Sequence, residues 1–134
     1  MKEHVQHWKH IEGLAAKYSM ECVSDTPEGI RIELSDELDS TKKIAIFFKK
    51  GVGYYRFVRS YFRKRTLDTW AREYGSSFYE KWTFFKIIHS QSLAWLSEES
   101  CGIRGELKMQ HFVFITSNAM VEIIHTFDPF IEPI

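Results

Sequence analysis

Lys49–Arg65, KKGVGYYRFVRSYFRKR, is the stretch on which the reading of this chain turns. Seven of its residues are Lys or Arg, none is acidic, and Tyr and Phe fill much of the rest. On a helical wheel, Tyr54, Tyr55, Phe57, Val58, Tyr61 and Phe62 fall within an arc of about 160°, with Arg56, Arg59, Ser60 and Arg63 opposite. On a strand, Arg would share each face with Tyr or Phe, although these residue types favour a strand. The angular pattern predicts a helix with a buried aromatic side and an arginine ridge. A basic amphipathic helix of this kind is ordinarily a core helix with a solvated face.

Charge is balanced over the 134 residues, with 18 Lys and Arg against 18 Asp and Glu, so no net field steers the chain toward nucleic acid. The balance is local instead. Glu21–Asp39 holds seven acids against Arg31 alone, and the basic stretch follows. The two blocks can face each other, or the basic one can meet a partner. A hydrophobic content of 44% is enough for a folded core, and the length fits one domain over 1–134. Two cysteines, Cys22 and Cys101, are too few for a secreted disulfide scaffold. No apolar run approaches the ~20 residues of a membrane helix, and MKEHVQHWKH lacks a signal peptide's apolar core. A cytoplasmic protein with no membrane partner is expected.

Working outward, Val5, Trp8, Ile11, Leu14, Ala15 and Tyr18 recur at helical spacing, which predicts a helix over 2–18. Met20–Ser24 and Ile30–Leu34 read as strands around the turn Asp25-Thr26-Pro27-Glu28-Gly29. Lys43–Lys49 is apolar on both faces, an interior strand. Thr66 is expected to cap a helix ending near Gly75. A strand over Trp82–Ile88, a helix from Ser90 or Ser92 to Glu99, a strand over His111–Thr116 and a helix capped by Asn118 complete the reading. The class expected is α+β: a mixed or mainly antiparallel sheet packed with four to five helices. Trp8, Ile44, Ile46, Phe48, Trp70, Phe84, Leu96, Phe112 and Phe114 are the expected core.

The candidate chemistries are weak. His4, His7 and His10 at helical spacing spread over too wide an arc for a compact metal site, and HExxH is absent. Cys101 with His89, His111 or His125, and Asp128 to orient the base, has the parts of a cysteine hydrolase. Cys101 nevertheless falls after a helix C-terminus, where the dipole disfavours a thiolate. Gly51-Val52-Gly53 lacks the third glycine and the Lys-Ser/Thr of phosphate loops, although two glycines before a basic segment can present N–H groups to an anion. Glu98 and Glu99 are sequence neighbours on a surface helix and imply no acid–base pair. No cofactor motif is present, and an enzyme is not expected.

The basic segment remains. An arginine ridge of Arg56, Arg59 and Arg63, continued by Lys64 and Arg65, suits carboxylates or phosphates. The expectation is a protein-binding module for an acidic protein, by fold-level analogy an inhibitory or immunity-type partner. The alternative is a nucleic-acid binder using segment 49–65, with Tyr54, Tyr55 or Tyr61 stacking on bases.

Overall fold

Strands dominate this chain. The computed structural model describes residues 2–8, 13–102 and 108–134. Among them are nine strands: β1 His4–His7, β2 Tyr18–Thr26, β3 Gly29–Asp36, β4 Lys43–Lys49, β5 Tyr54–Arg59, β6 Phe84–Ile88, β7 Gln110–Ile115, β8 Ala119–His125 and β9 Phe130–Pro133. The helices are α1 Lys64–Tyr74 and α2 Gln91–Glu99, with a 3-10 turn at Ser60–Phe62. Two helices replace the four to five expected, so the α+β reading with a helix-rich shell is overturned in favour of a mostly β architecture.

Every strand pair is antiparallel. One sheet runs β1-β6-β7-β8-β5, the other β2-β3-β4-β9. They pack face to face, because strand side chains alternate sides and the inward sets are apolar. Ile30, Ile32, Leu34, Ile44, Ile46, Phe48 and Ile131 of one sheet meet Phe84, Phe112, Phe114, Val121 and Ile123 of the other. The outer face of the five-stranded sheet carries a second cluster, in which Val5, Phe85, Ile87, Val113, Ile115 and Met120 pack under Leu67 and Trp70 of α1. The five-stranded sheet is therefore apolar on both faces.

That double burial explains the errors of periodicity. Val5 and Trp8 sit three apart as on a helix, yet they occupy opposite sides of an extended segment, Val5 under α1 and Trp8 between the sheets. Residues 9–12, including Ile11, lie outside the described residues. β8, AMVEIIH, is buried along its whole length between β7 and β5. Such a run has no period, and its Val and Ile content favours the pleated form. Asn118, expected as a helix cap, instead joins the sheets: its Oδ1 accepts from Met20 N at 2.9 Å and its Nδ2 donates to Met20 O at 3.3 Å.

Other expectations stand. β4 has the bounds read for it and lies between β3 and β9. Ser90 caps α2, accepting from Leu93 N at 3.1 Å. The β2–β3 hairpin closes on Gly29, where a Cβ would stand 2.0 Å from Phe48 O, so no side chain fits. Of the expected core, Leu96 alone is only half-buried; it rests on α2 beside Gly53.

Candidate functional site

The basic stretch is not one helix. Tyr54–Arg59 is the edge strand β5, the 3-10 turn follows, and α1 begins at Lys64 with Arg63 as its N-cap. Thr66 therefore lies inside the first turn rather than at the cap. Alternation separates the expected ridge: Arg56 points to the α1 side of the sheet, Arg59 to the other. There Arg59 lies over Phe57, 4.9 Å from the ring centre.

Arg56 sits opposite Glu122 in the β5–β8 register. Its Nε and Nη2 donate to Glu122 Oε2 at 2.7 and 2.6 Å, and Arg63 Nη1 donates to the same oxygen at 2.7 Å. Glu122 is 1% exposed. Its other oxygen, Oε1, lies 3.0 Å from His111 Nε2, and His111 Nδ1 lies 2.6 Å from Ser90 Oγ. Ser90 Oγ accepts from Leu93 N and shares a hydrogen with His111 Nδ1, while His111 Nε2–H donates to the Glu122 carboxylate. Burial alone would push the Glu122 carboxyl up. The hydrogen bonds from His111 and Arg63 and the charges of Arg63 and Arg56 outweigh it and hold the group down at about 2.

Ser90, His111 and Glu122 are the residue types of an acyl-transfer triad, but their arrangement is structural. A nucleophilic serine needs an open Oγ. Ser90 is buried and holds the first turn of α2. The row instead bolts β5, β7, β8, α1 and α2 to one carboxylate.

Above this cluster opens a cavity of about 480 Å³, its wall including Glu3, Arg56, Arg63, Arg65, His111 and Glu122. Gln91 and Ser92 of α2 and Thr66 and Thr69 of α1 also line it. Beside it the chain exposes Tyr61 and Phe62, at 72% and 73%, with ring centroids 4.5 Å apart and planes tilted 46°. Arg59, Lys64 and Arg65 are exposed around them in sequence. Lys64 Nζ pairs with Asp68 at 2.8 Å, an i,i+4 contact whose hydrogen bond raises the lysine pKa.

The acidic block does not take up the segment's paired arginines; Arg56 and Arg63 go to Glu122, which the helix reading of 119–125 had hidden. A signal was present, since a lone acid in an apolar run, AMVEIIH, needs an internal cation. The other candidates do not assemble. His4 and His7 lie on β1, three apart and thus on opposite faces; His10 lies outside the described residues. His7 Nε2 is 3.0 Å from Phe78 O, and no group of three metal-ligating side chains occurs among the described residues. Cys101 is exposed, while His111 is committed to Ser90 and Glu122. Asp128 Oδ1 accepts from Gln110 Nε2 at 3.0 Å. Gly53 N–H donates to Ile124 O at 3.0 Å, so this one of the two glycines does not offer its N–H to an anion. No helix among the described residues is long and apolar enough to cross a membrane.

No family model, curated protein or solved structure matches this chain.

Proposed function

We propose that this protein is a binding module for an acidic protein partner, docked by the Tyr61–Phe62 pair and the cations beside it. The observation that carries this reading is two large rings about three-quarters exposed, packed on each other within a run of Arg59, Arg63, Lys64 and Arg65. Aromatic anchors with arginine are the residue types that carry binding energy at protein interfaces. Arg59, Lys64 and Arg65 make the direct contacts; Arg56 and Arg63, tied to Glu122, lend residual positive field. The class of partner is one that an inhibitory or immunity-type module would meet. Cys22 and Cys101 are both free and exposed thiols, which fits a reducing cytoplasm.

A second reading, single-stranded nucleic acid, draws on the exposure of Tyr55 and Tyr61 beside cations. It ranks lower because Tyr61 and Phe62 are tilted against each other. They form a wedge that fills a pocket rather than two parallel platforms for successive bases.

The test is capture from the native host on immobilised protein, with and without nuclease, alongside a Tyr61→Ser/Phe62→Ser variant. The expected result is a protein retained by the wild type despite nuclease and lost by the variant. Loss of the captured material on nuclease treatment moves the conclusion to the second reading, and equal capture by the variant removes the knob from both.

A further inference from the structure

The cavity above Glu122 has a use that the Tyr61–Phe62 knob does not explain. We propose that it is a binding site for a phosphate ester of small-molecule size. Three guanidinium groups, Arg56, Arg63 and Arg65, stand on its wall against two carboxylates, Glu122 and Glu3. The three guanidinium groups exceed the two carboxylates by one positive charge. Glu122 cannot absorb more of it, because both of its oxygens are already bonded.

Donors remain unspent. Arg56 uses Nε and Nη2 on Glu122 and keeps Nη1. Arg63 uses Nη1 on Glu122 and reaches Thr66 Oγ1 only at 3.4 Å with Nη2. Among the described residues Arg65 pairs with no acid, and it is exposed at the rim. Gln91 and Ser92 add an amide and a hydroxyl from the first turn of α2. These are several donors converging from three elements, which a phosphoryl group with three acceptor oxygens matches better than a single carboxylate does.

The local sequence of α1 points the same way. Its start, Arg63-Lys64-Arg65, has no side-chain cap and no acid in the first turn. Cations at the positive end of a helix dipole are unfavourable, and a bound dianion relieves that conflict. Glu3, the second acid on the wall, turns one oxygen to Gln91 N at 2.7 Å. A volume of about 480 Å³ exceeds a bare phosphate and falls within the range of small-ligand pockets.

Calorimetric titration at low ionic strength with glycerol 3-phosphate, and separately with inorganic phosphate, tests this. One saturable site is expected, tighter for the ester than for the ion. Arg56 and Arg63 support the fold, so the informative variant is Arg65→Gln, which touches no partner of Glu122. Affinity should fall about tenfold, the loss of one charge-assisted contact. The Tyr61→Ser/Phe62→Ser variant should bind as the wild type does, which separates this site from the aromatic pair, Arg65 being common to both surfaces. Backbone amide shifts on titration should centre on Gln91, Ser92 and Arg65. Absence of saturation with either probe, binding untouched by Arg65→Gln, or shifts centred elsewhere would each overturn the proposal.

Discussion

Arg63 and Arg65 stand two residues apart at the head of α1 and live in different surroundings. Arg63 is 14% exposed at its side chain and donates at 2.7 Å to a carboxylate that is itself out of water. Arg65 is exposed and pairs with no acid among the described residues. The same contrast separates Arg56 from Arg59 across one strand. Residue type thus says little; position relative to Glu122 decides whether a cation holds the fold or faces a partner. The locked pair leaves an uncompensated charge if broken, whereas the free set costs almost nothing to change.

Glu122→Ala gives the largest expected effect. It removes the acceptor of Arg56, Arg63 and His111 at once, leaving the largely buried Arg63 and the buried imidazole without it, while Arg56, 41% exposed, turns to water. Breaking a buried pair in this way costs about 3–5 kcal/mol, against typical domain stabilities of about 5–15 kcal/mol. Urea unfolding checks it. A loss below about 1 kcal/mol would show that water reaches the cluster and that the division between locked and free arginines is false.

Acid should sharpen the same contrast. The folded pKa of Glu122, about 2, lies below its ordinary value of 4.5. The unfolded chain therefore takes up a proton first as pH falls. The stabilisation is complete above the ordinary value and drains away between it and the folded pKa. It amounts to about 3 kcal/mol at neutral pH. Glu122→Gln should flatten the stability curve over that window, and Arg65→Gln should leave it unchanged. A wild-type curve already flat from pH 5 to pH 2 would contradict the assignment.

His125 is a smaller case of a polar group taken out of water, with little to meet it. Its ring is 2% exposed between Phe48 and Phe127, and among the described residues neither nitrogen makes a well-formed hydrogen bond, the Lys49 main chain offering only a weak one. Burial lowers its pKa, and the Lys49 main chain only partly opposes the shift. With the folded pKa depressed, stability declines as pH falls below the ordinary imidazole range. His125→Phe should gain about 1 kcal/mol in urea unfolding at pH 7 and remove that decline, since unsatisfied buried groups cost about 1–3 kcal/mol. A loss of stability instead would mean that the site has no room for the larger ring.

How far this was legible follows from burial. β3 alternates Ile30, Arg31, Ile32, Glu33 and Leu34 because one face meets water, and it was readable. β4 was readable from its length and its apolar residues on both faces. β1 was misread because Val5 within it and Trp8 just after it are buried on opposite sides at a helix-like spacing of three, and β8 because it is buried on both faces. β5 was misread because its two arginines point to opposite faces for different reasons, one toward Glu122 and one lying over Phe57. The partner of Arg56 and Arg63 is 66 and 59 residues away in sequence, a pairing that no local pattern encodes. The candidate residues were visible as types, and their separation into two roles was not.

The free set should show the smallest effect, and its sign is informative. Lys64→Glu with Arg65→Glu removes the exposed Lys64–Asp68 contact and makes that i,i+4 pair one of like charge, a small loss on a helix surface. It also places two acids in the first turn of α1, which carries none. Each acid there is favoured by the helix dipole, which offsets that loss. The net expectation is a melting temperature unchanged or raised by a degree or two. Binding should respond in the opposite sense: association with an acidic partner should slow markedly, and its salt dependence should weaken, because exposed charges act mainly on the on-rate. A double variant that melts several degrees lower would place Lys64 and Arg65 among the residues that hold the fold. One that folds normally and still associates at the wild-type rate would leave only the aromatic pair as the docking element.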